Sequence, residues 1–301
     1  MSRVCILMST YNGEKYIAEQ LNSIIRQTDV NIHIMIRDDG SVDSTKNIIR
    51  NFLEKYPGTI ELQEGINLGF ANSFYELLKS AKNYDYYAFA DQDDIWEECK
   101  VKRAISTIDF KEPGLYASNL RVVDSLENSS YLLFSEDRKD EVIYKMENYF
   151  YMYNPYGCTM IWNSSLQNEL QKYVKPDEQT HDVWVNLIAH CVGKVFYDYN
   201  SYINYRLHGE NACGVTPKSF VSRVKKYYGF YFKNRKSLNI ALNCNMIVEL
   251  FTHNNDFLIY DFAYYKKNIF NKIRAICDVL LLKINKYEKI KFVILITFNR
   301  F

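Results

Sequence analysis

The sequence predicts an α/β protein in which a mainly parallel β-sheet with connecting helices is followed by a helical C-terminal part. Two observations carry this prediction. In the first hundred residues, short apolar runs alternate with segments whose apolar residues recur at helical spacing. Strands that are joined by helices of this length form parallel pairs with right-handed crossovers. Beyond Pro217 the chain contains no further proline, is rich in lysine and aromatic residues, and has a helical pattern.

Length and composition indicate the class of protein. With 301 residues, the chain can bury one large core, or one core with an appendage. Its 48% hydrophobic and 24% charged residues are typical of a globular protein. The seven cysteines include no CxxC pair, which argues against disulfide frameworks and zinc–thiolate sites and favours the cytoplasm. Neither the early apolar stretch nor the later run "FVILITF" is long enough for a signal peptide or a membrane span.

Strands and helices alternate from the start of the chain. The predicted strands of the first half cover residues 3–9, 31–39, 59–65 and 86–91, and the predicted helices cover 13–27, 41–56 and 70–81. Shorter strands follow at 115–119, 157–163, 194–199 and 201–207, with a helix over 181–192. We expect this second half to extend the same sheet. The predicted division is a domain over 1–216, with halves 1–110 and 111–216, and an extension over 217–301.

Polar residues cluster where three of the predicted strands end. The clusters are Thr10, Tyr11 and Asn12 after the first strand, Asp38 and Asp39 after the second, and Asp91, Asp93 and Asp94 after the fourth. Parallel strands end at the same edge of a sheet, and open α/β sheets bind ligands at that carboxyl edge. The sequence therefore predicts one ligand site that all three clusters share.

The acidic cluster indicates the chemistry of this site. Asp91 and Asp93 are hard oxygen ligands, two residues apart on a strand-to-loop turn, which suits Mg²⁺ or Mn²⁺ and through it the phosphates of a nucleotide. A purely structural alternative is that these acids form turns and cap the next helix, as we expect for Asp94. The chain has neither a GxGxxG nor a GxxxxGK[ST] motif, so a dinucleotide site and a P-loop are disfavoured.

Four segments, taken in order, resemble a known family. The segments "MSTYNGEKYIAEQLNSIIRQT", "IRDDGSVDST", "NLGFANSF" and "YYAFADQDDIW" are similar to successive blocks of the inverting family 2 glycosyltransferases with the GT-A fold. The resemblance covers about residues 3–216 and is greatest to rhamnosyltransferase-like members. It implies a Rossmann-like mixed, mainly parallel sheet, with 1–110 as the nucleotide-binding half and 111–216 as the acceptor-binding half.

The resemblance also implies roles for individual residues. Asp182 of "QTHDVWVNLIAH" would be the catalytic base, and Asp38 would accept a hydrogen bond from the nucleotide base. The implied nucleotide-binding residues are Thr10, Tyr11, Asn12, Asp38, Asn67, Gly69 and Asp91, and the implied metal ligands are Asp93, Asp91 and His208. The residues expected on the acceptor or diphosphate side are Gly157, Cys158, Thr159, His181 and Arg206. Asn119 and Val183 depart from the family's pattern, which often has Asp and an aromatic residue there.

The implied activity is transfer of a sugar, with inversion, from a dTDP- or UDP-sugar to a glycan or lipid-linked glycan in bacterial cell-surface polysaccharide biosynthesis. L-Rhamnose from dTDP-rhamnose is the first expectation, and no nucleic-acid partner is expected. Two alternatives use the same residues. One is a metal-dependent phosphohydrolase or nucleotidyltransferase, and the other is a non-catalytic GT-A-like protein that binds glycans.

The C-terminal extension is strongly basic. Residues 217–301 contain 16 Lys and Arg against 5 Asp and Glu. Within 269–284 the apolar residues form one helical stripe. This stripe either packs against the acidic catalytic body or lies on anionic lipid, which would make the protein peripheral on the inner face of the cytoplasmic membrane.

Overall fold

The structure, a computed structural model, describes residues 1–109, 111–124, 130–133, 142–144, 155–177, 179–208, 240–250, 257–281 and 286–299. The chain divides into two compact units. The first consists of Met1–Lys145 and Asn154–Gly214, and the second of Met146–Tyr153 and Val215–Phe301. The predicted domain boundary after residue 216 lies outside the described residues. The two functional halves stay predictions, because they concern ligand contacts as well as the fold.

The first unit contains one sheet and its connecting helices. The strands are β1 (Ser2–Thr10), β2 (Val30–Asp38), β3 (Ile60–Glu64), β4 (Tyr86–Ala90), β5 (Ile95–Trp96), β6 (Gly114–Asp124), β7 (Ser130–Leu132), β8 (Val142–Tyr144), β9 (Met160–Asn163) and β10 (Lys194–Leu207). The helices are α1 (Ile17–Ile25), α2 (Thr45–Lys55), α3 (Phe70–Ser80), α4 (Lys100–Ile108), α5 (Ser164–Leu170) and α6 (His181–Val192). Each strand and helix predicted in the first hundred residues is present.

The sheet is mixed, and its longest ladders are parallel. Its order is β3-β2-β1-β4-β9-β6-β10-β5, with β7 paired to β6 and β8 to β10. The strands β1, β2, β3 and β4 pair in parallel, as do β6 and β10, whereas β9 runs antiparallel between β4 and β6. Helices cover parallel sheets on both faces, which explains why Val4–Met8 and all of β4 are buried.

The register of these strands positions the site. Thr10 pairs with Asp38, and Met8 pairs with Ala90, so β1, β2 and β4 end at one edge. The helices are held by apolar residues at helical spacing, as in α1, where Ile17, Leu21 and Ile24 are fully buried. The polar clusters predicted to share one edge therefore do so.

Two details of the first unit differ from the sequence prediction. Ile95 and Trp96 form a short strand that pairs with Asn204 and Ile203, because this edge of β10 was free to accept a partner. The following helix begins only at Lys100, with Cys99 before it, so Asp94 does not cap it. The predicted strands 194–199 and 201–207 are one strand, β10, interrupted by irregularities between Asp198 and Asn204.

The second unit is helical where it is described. Its helices are α7 (Ile240–Leu250), α8 (Phe257–Tyr264), α9 (Ile269–Leu281) and α10 (Lys286–Thr297). Lys272 Nζ lies 3.0 Å from the carbonyl oxygen of Thr297, and Lys289 Nζ lies 2.6 Å from that of Leu280, so α9 and α10 run antiparallel. None of the helices described is both long enough and apolar enough to span a membrane.

Candidate active site

A cavity of about 320 Å³ lies at the carboxyl edge of β1, β2 and β4. Of the residues predicted from the sequence, those that line it are Tyr11, Asn67, Gly69, Asp91, Asp93, Gly157, His181 and Asp182. Those that lie outside this lining are Thr10, Asn12, Asp38, Cys158, Thr159, Arg206 and His208. The lining residues that the sequence did not indicate are Ser9, Phe70, Phe74, Gln92, Tyr156 and Tyr205.

Asp38 forms a buried support beneath the predicted nucleotide side. Its carboxylate accepts hydrogen bonds from Thr10 Oγ1 at 2.9 Å and from the backbone and hydroxyl of Ser41 at 2.8 and 2.6 Å. Asn12 has a positive φ of 47° and bonds the same loop through Ser41 and Val42. These contacts hold the loops after β1 and β2 together, and the binding of a nucleotide base by Asp38 stays a prediction.

Asp39, the second acid of the polar cluster after β2, lines the cavity. It accepts hydrogen bonds from the backbone N–H groups of Leu68 and Gly69, each at 2.9 Å, and forms a short ion pair with Arg37. Gly69 has a φ of 78°, a conformation that favours glycine, and it is the N-cap residue immediately before helix α3. Asp39 thus determines where the "NLG" loop sits.

The acidic turn after β4 meets two other elements of the unit. The Gln92 side chain exchanges two hydrogen bonds of 3.0 Å with the backbone of Tyr11. Asp93 Oδ2 lies 2.7 Å from His208 Nε2, and the His208 ring stacks on Tyr16 with a centroid separation of 4.6 Å. His208 lies outside the cavity lining but next to Asp93, and the shared ligation of a metal by these two residues stays a prediction.

Asp91 lies beside a different pair of possible ligands. Ligand atoms of Asp91, Asp94 and Cys158 lie within 4.8 Å of one another. The buried Lys100 donates to the carbonyl oxygen of Cys158 at 2.9 Å, and its ammonium lies 3.3 Å from the centroid of the Trp96 ring. Lys100 is therefore a buried basic group directly behind the acidic turn.

Burial and crowding of like charges perturb this cluster. Burial raises the pKa of Asp91 to about 7, and the negative charges of Asp93 and Asp182 add to the effect. Burial, followed by Asp93 and Asp91, also raises the pKa of Asp94 well above its usual range. Burial lowers the pKa of Lys100 to about 7. Burial at this edge thus disfavours the charged forms of Asp91, Asp94 and Lys100 alike.

Arg206 supports the acidic turn from outside the cavity. Its Nε donates to the backbone carbonyl of Asp93 at 2.8 Å, and its guanidinium forms a short ion pair with Glu19. The guanidinium carbon also lies 5.1 Å from the centroid of the Tyr16 ring. These contacts give Arg206 a positioning role, whereas the predicted contact with a leaving diphosphate stays untested.

Asp182 lies in the first turn of α6 and lines the cavity. Its Oδ1 accepts a short hydrogen bond from Thr180 Oγ1 and one of 2.8 Å from the backbone N–H of Val183. Within the described part of the chain, Oδ2 has no hydrogen-bond partner. One oxygen thus anchors the carboxylate, and the role of Asp182 as a base stays a prediction.

His181 packs among aromatic rings as an apolar group. Its ring stacks on Phe74 with centroids 4.2 Å apart and meets Phe89 edge-on at 4.6 Å. Burial lowers its pKa to about 4, so the imidazole is neutral at neutral pH. A Cβ at Gly157 would lie 2.9 Å from His181 Nε2, which explains glycine at this wall of the cavity.

The remaining predicted residues of this side are buried supports. Cys158 and Thr159 are 1% and 0% exposed, and Thr159 Oγ1 donates to the carbonyl oxygen of Tyr156. Asn119, one of the two departures from the family's pattern, donates to the carbonyl oxygen of Tyr199 from within β6. Neither Asn119 nor Val183 belongs to the cavity lining. Contact of these residues with a sugar stays a prediction.

Comparison with known proteins decides the family. The sequence profile described as "Glycosyl transferase family 2" matches residues 5–170, which contain most of β1, the acidic turn and the Gly157 wall. The chain belongs to glycosyl transferase family 2. This family 2 enzyme is 32% identical over 235 residues to the dTDP-rhamnosyl transferase RfbG of Shigella flexneri, covering 73% of this chain and 77% of the relative. It is also 23% identical over 253 residues to an uncharacterized glycosyltransferase of Rickettsia typhi, covering 79% and 74%.

Solved structures confirm the predicted GT-A fold of this transferase. S. aureus TarS in complex with UDP-GlcNAc superposes with a TM-score of 0.61 at 18% identity, covering 96% of this chain and 79% of TarS. GalNAc-T7, in a structure with UDP, GalNAc and Mn²⁺, gives a TM-score of 0.55 at 12% identity, covering 91% and 58%. At these identities the likeness establishes the fold alone.

Proposed function

We propose that this family 2 glycosyltransferase transfers a sugar, with inversion, from a dTDP- or UDP-sugar to a glycan or lipid-linked glycan of the bacterial cell surface. L-Rhamnose from dTDP-rhamnose is the first candidate, because the relative RfbG is named a dTDP-rhamnosyl transferase. The observation that carries the proposal is Asp182, a carboxylate anchored through one oxygen in the cavity that also contains Asp91 and Asp93. We place the reaction in the cytoplasm, at the inner face of the membrane.

Asp182 is suited to act as the base of this reaction. In an inverting transfer, an acceptor hydroxyl attacks the anomeric carbon opposite the departing diphosphate and loses its proton. The hydrogen bonds from Thr180 and Val183 hold Asp182 Oδ1, so Oδ2 is the atom that would take the proton. The neutral His181 beside it adds no competing charge, and its stacking on Phe74 keeps this wall of the cavity rigid.

The donor set fits Mg²⁺ or Mn²⁺. We assign the ion to Asp91, Asp93 and His208, since Asp93 and His208 already face each other at 2.7 Å and the carboxylates are hard oxygen ligands. The thiol of Cys158 is a softer ligand and suits this ion less well. When bound at these residues, such an ion would supply positive charge that offsets the charge of the diphosphate leaving group. Tyr11, Asn67 and Gly69 would then border the nucleotide, supported by Thr10, Asn12 and Asp38.

Donor binding is expected to raise the melting temperature of the full chain. At a concentration of about 100 Kd, a ligand that binds only the folded protein stabilises it by about 2.7 kcal/mol. We expect a shift with dTDP-rhamnose and Mn²⁺ together that exceeds the shift with either alone, measured by differential scanning fluorimetry. UDP-sugars serve as the comparison for base preference. The absence of a shift with every dTDP and UDP compound would contradict the proposal.

The products distinguish glycosyl transfer from phosphate chemistry. Incubation with dTDP-rhamnose, Mn²⁺ and a glycan acceptor should release dTDP, because the bond that breaks joins the sugar to the diphosphate. A phosphohydrolase or nucleotidyltransferase would instead release dTMP. A glycan-binding protein without activity would release neither, so chromatography of the nucleotides separates all three functions.

Arg206 provides a prediction about positioning of the metal. Glu19→Gln and Arg206→Lys should each weaken Mn²⁺ binding by about tenfold or more, because residues that orient metal ligands have effects of this size. The measurement is the Mn²⁺ concentration that gives half-maximal activity, with Glu98→Gln, an exposed acid of the same unit, as the control. An unchanged Mn²⁺ dependence with a reduced kcat would instead favour direct contact between Arg206 and the leaving group.

A further inference from the structure

Helix α9 exposes the apolar face that an amphipathic helix normally buries. Its exposed apolar residues are Ile269, Phe270, Ile273, Leu280 and Leu281, which are 62%, 75%, 50%, 54% and 81% exposed. At about 100° per residue they occupy one side of the helix. On the opposite side, Ala275 and Val279 are fully buried. The two interpretations that the sequence left open, packing of this stripe against the catalytic body and contact with anionic lipid, both stay predictions.

Helix α10 has the same asymmetry. Ile290, Ile294 and Phe298 recur every four residues along α10 and the turn that follows it, and they are 50%, 41% and 60% exposed. The residues that α10 buries are Phe292, Leu295 and Ile296. Because α9 and α10 pack antiparallel, they form one hairpin. Both of its helices expose apolar residues, and we call these eight residues the hairpin surface. An exposed apolar patch on a protein often marks an interaction site.

The charges around the hairpin surface are basic. Lys266 and Lys267 are exposed immediately before α9, and Arg274 is exposed on α9 itself. Arg274 forms an ion pair with the buried Asp261, so this pair adds little net charge, and Asp278 is only partly exposed. The net positive charge beside α9 therefore comes from Lys266 and Lys267. The surface thus combines apolar side chains with a positively charged border.

We propose that the hairpin surface docks on the surface of an anionic lipid bilayer. Apolar side chains of an interfacial helix enter the boundary between headgroups and acyl chains, and neighbouring lysines contact anionic headgroups. A second copy of the chain fits less well, because a symmetric interface would set the two basic borders against each other. This inference rests on the proposed function. Docking would bring the enzyme to an acceptor that is carried on lipid.

Vesicle co-sedimentation of the full chain tests this inference. The protein should sediment with vesicles of phosphatidylcholine mixed with phosphatidylglycerol, and much less with phosphatidylcholine alone. Raising KCl from about 0.1 M to about 1 M should release part of it, since the Debye length falls from about 10 Å to about 3 Å. Binding is measured without donor or acceptor, so a failure of docking and a failure of the proposed reaction are distinguishable.

Two variants locate the contact. Phe270→Glu combined with Leu281→Glu should lower partitioning onto anionic vesicles by about tenfold or more, because two apolar anchors are replaced by repelled charges. Val174→Glu, an apolar residue of the first unit that is 80% exposed, is the matched control and should bind like the wild type. Lys266→Glu with Lys267→Glu tests the basic border without altering the apolar residues.

Three results would overturn the inference. One is the absence of sedimentation with anionic vesicles, and another is binding that neither double variant reduces. The third is a stable dimer of the wild-type chain, seen by sedimentation velocity, that Phe270→Glu with Leu281→Glu dissociates. Melting temperatures close to that of the wild type would show that the variants are folded, as we expect for substitutions at exposed positions.

Discussion

Asp182→Asn is expected to lower the turnover of sugar transfer by roughly 10³-fold while leaving donor binding within about twofold of the wild type. The amide keeps an oxygen at the position of Oδ1, so the hydrogen bonds from Thr180 and from the backbone of Val183 can persist. It replaces Oδ2, the oxygen without a partner among the described residues, by an NH₂ group that cannot accept a proton. The change therefore removes the base and preserves the start of α6.

Steady-state kinetics and donor titrations separate the possible roles of Asp182. Asp177→Asn makes the same chemical change at an exposed position outside the cavity lining and should have no effect. If Asp182→Asn lowers turnover by less than about threefold, Asp182 is not the base. If it abolishes donor binding as well, Asp182 binds the donor. Its position near Asp91 would then serve donor binding.

Asp93→Asn and His208→Ala are each expected to lower activity by about 10²-fold or more and to abolish the additional melting-temperature shift that Mn²⁺ gives with a dTDP-sugar. Both side chains meet at 2.7 Å, and the proposed ion would be bound at this point. Because Asp93 and His208 would bind the same ion, the double variant should lose little more activity than either single variant. Additive losses would show that the two residues act separately.

The control for this experiment is another histidine–carboxylate pair of the first unit. His33 Nε2 lies 3.8 Å from Glu61 Oε2, away from the cavity lining. His33→Ala should therefore leave both activity and the Mn²⁺ effect unchanged. Isothermal titration with Mn²⁺ in the presence of dTDP provides a readout that does not require turnover. Retention of Mn²⁺ binding in Asp93→Asn would move the ion to the group formed by Asp91, Asp94 and Cys158.

The departures from the family's pattern lie behind the site. Asn119 bonds the backbone of Tyr199, and Val183 follows Asp182 on α6, but neither belongs to the cavity lining. Differences at these two positions therefore do not identify the sugar by themselves. Tyr156 and Tyr205, which do line the cavity, are better candidates for contacts that select the sugar.

The sequence by itself determined the elements and the edge at which the site lies. Apolar runs such as "YYAFA" and the helical spacing of Ile17, Leu21 and Ile24 are local patterns, and local patterns decide strands and helices directly. Because parallel strands end together, the clusters after β1, β2 and β4 could be assigned to one site without coordinates. Family resemblance then pointed to Asp182 and Asp93, which line the cavity.

Only the tertiary structure decided which of two neighbouring groups reaches the cavity. Asp38 and Asp39 are adjacent in the sequence, yet Asp38 is covered by Thr10 and Ser41, and Asp39 lines the cavity. Arg206 is held by Glu19, which is 187 residues away in the chain, so its role could not be read from "YRLH". The apolar stripe of α9 likewise looked the same whether buried or exposed. The physical reason is that periodicity identifies a face, whereas contacts between distant residues decide what that face meets.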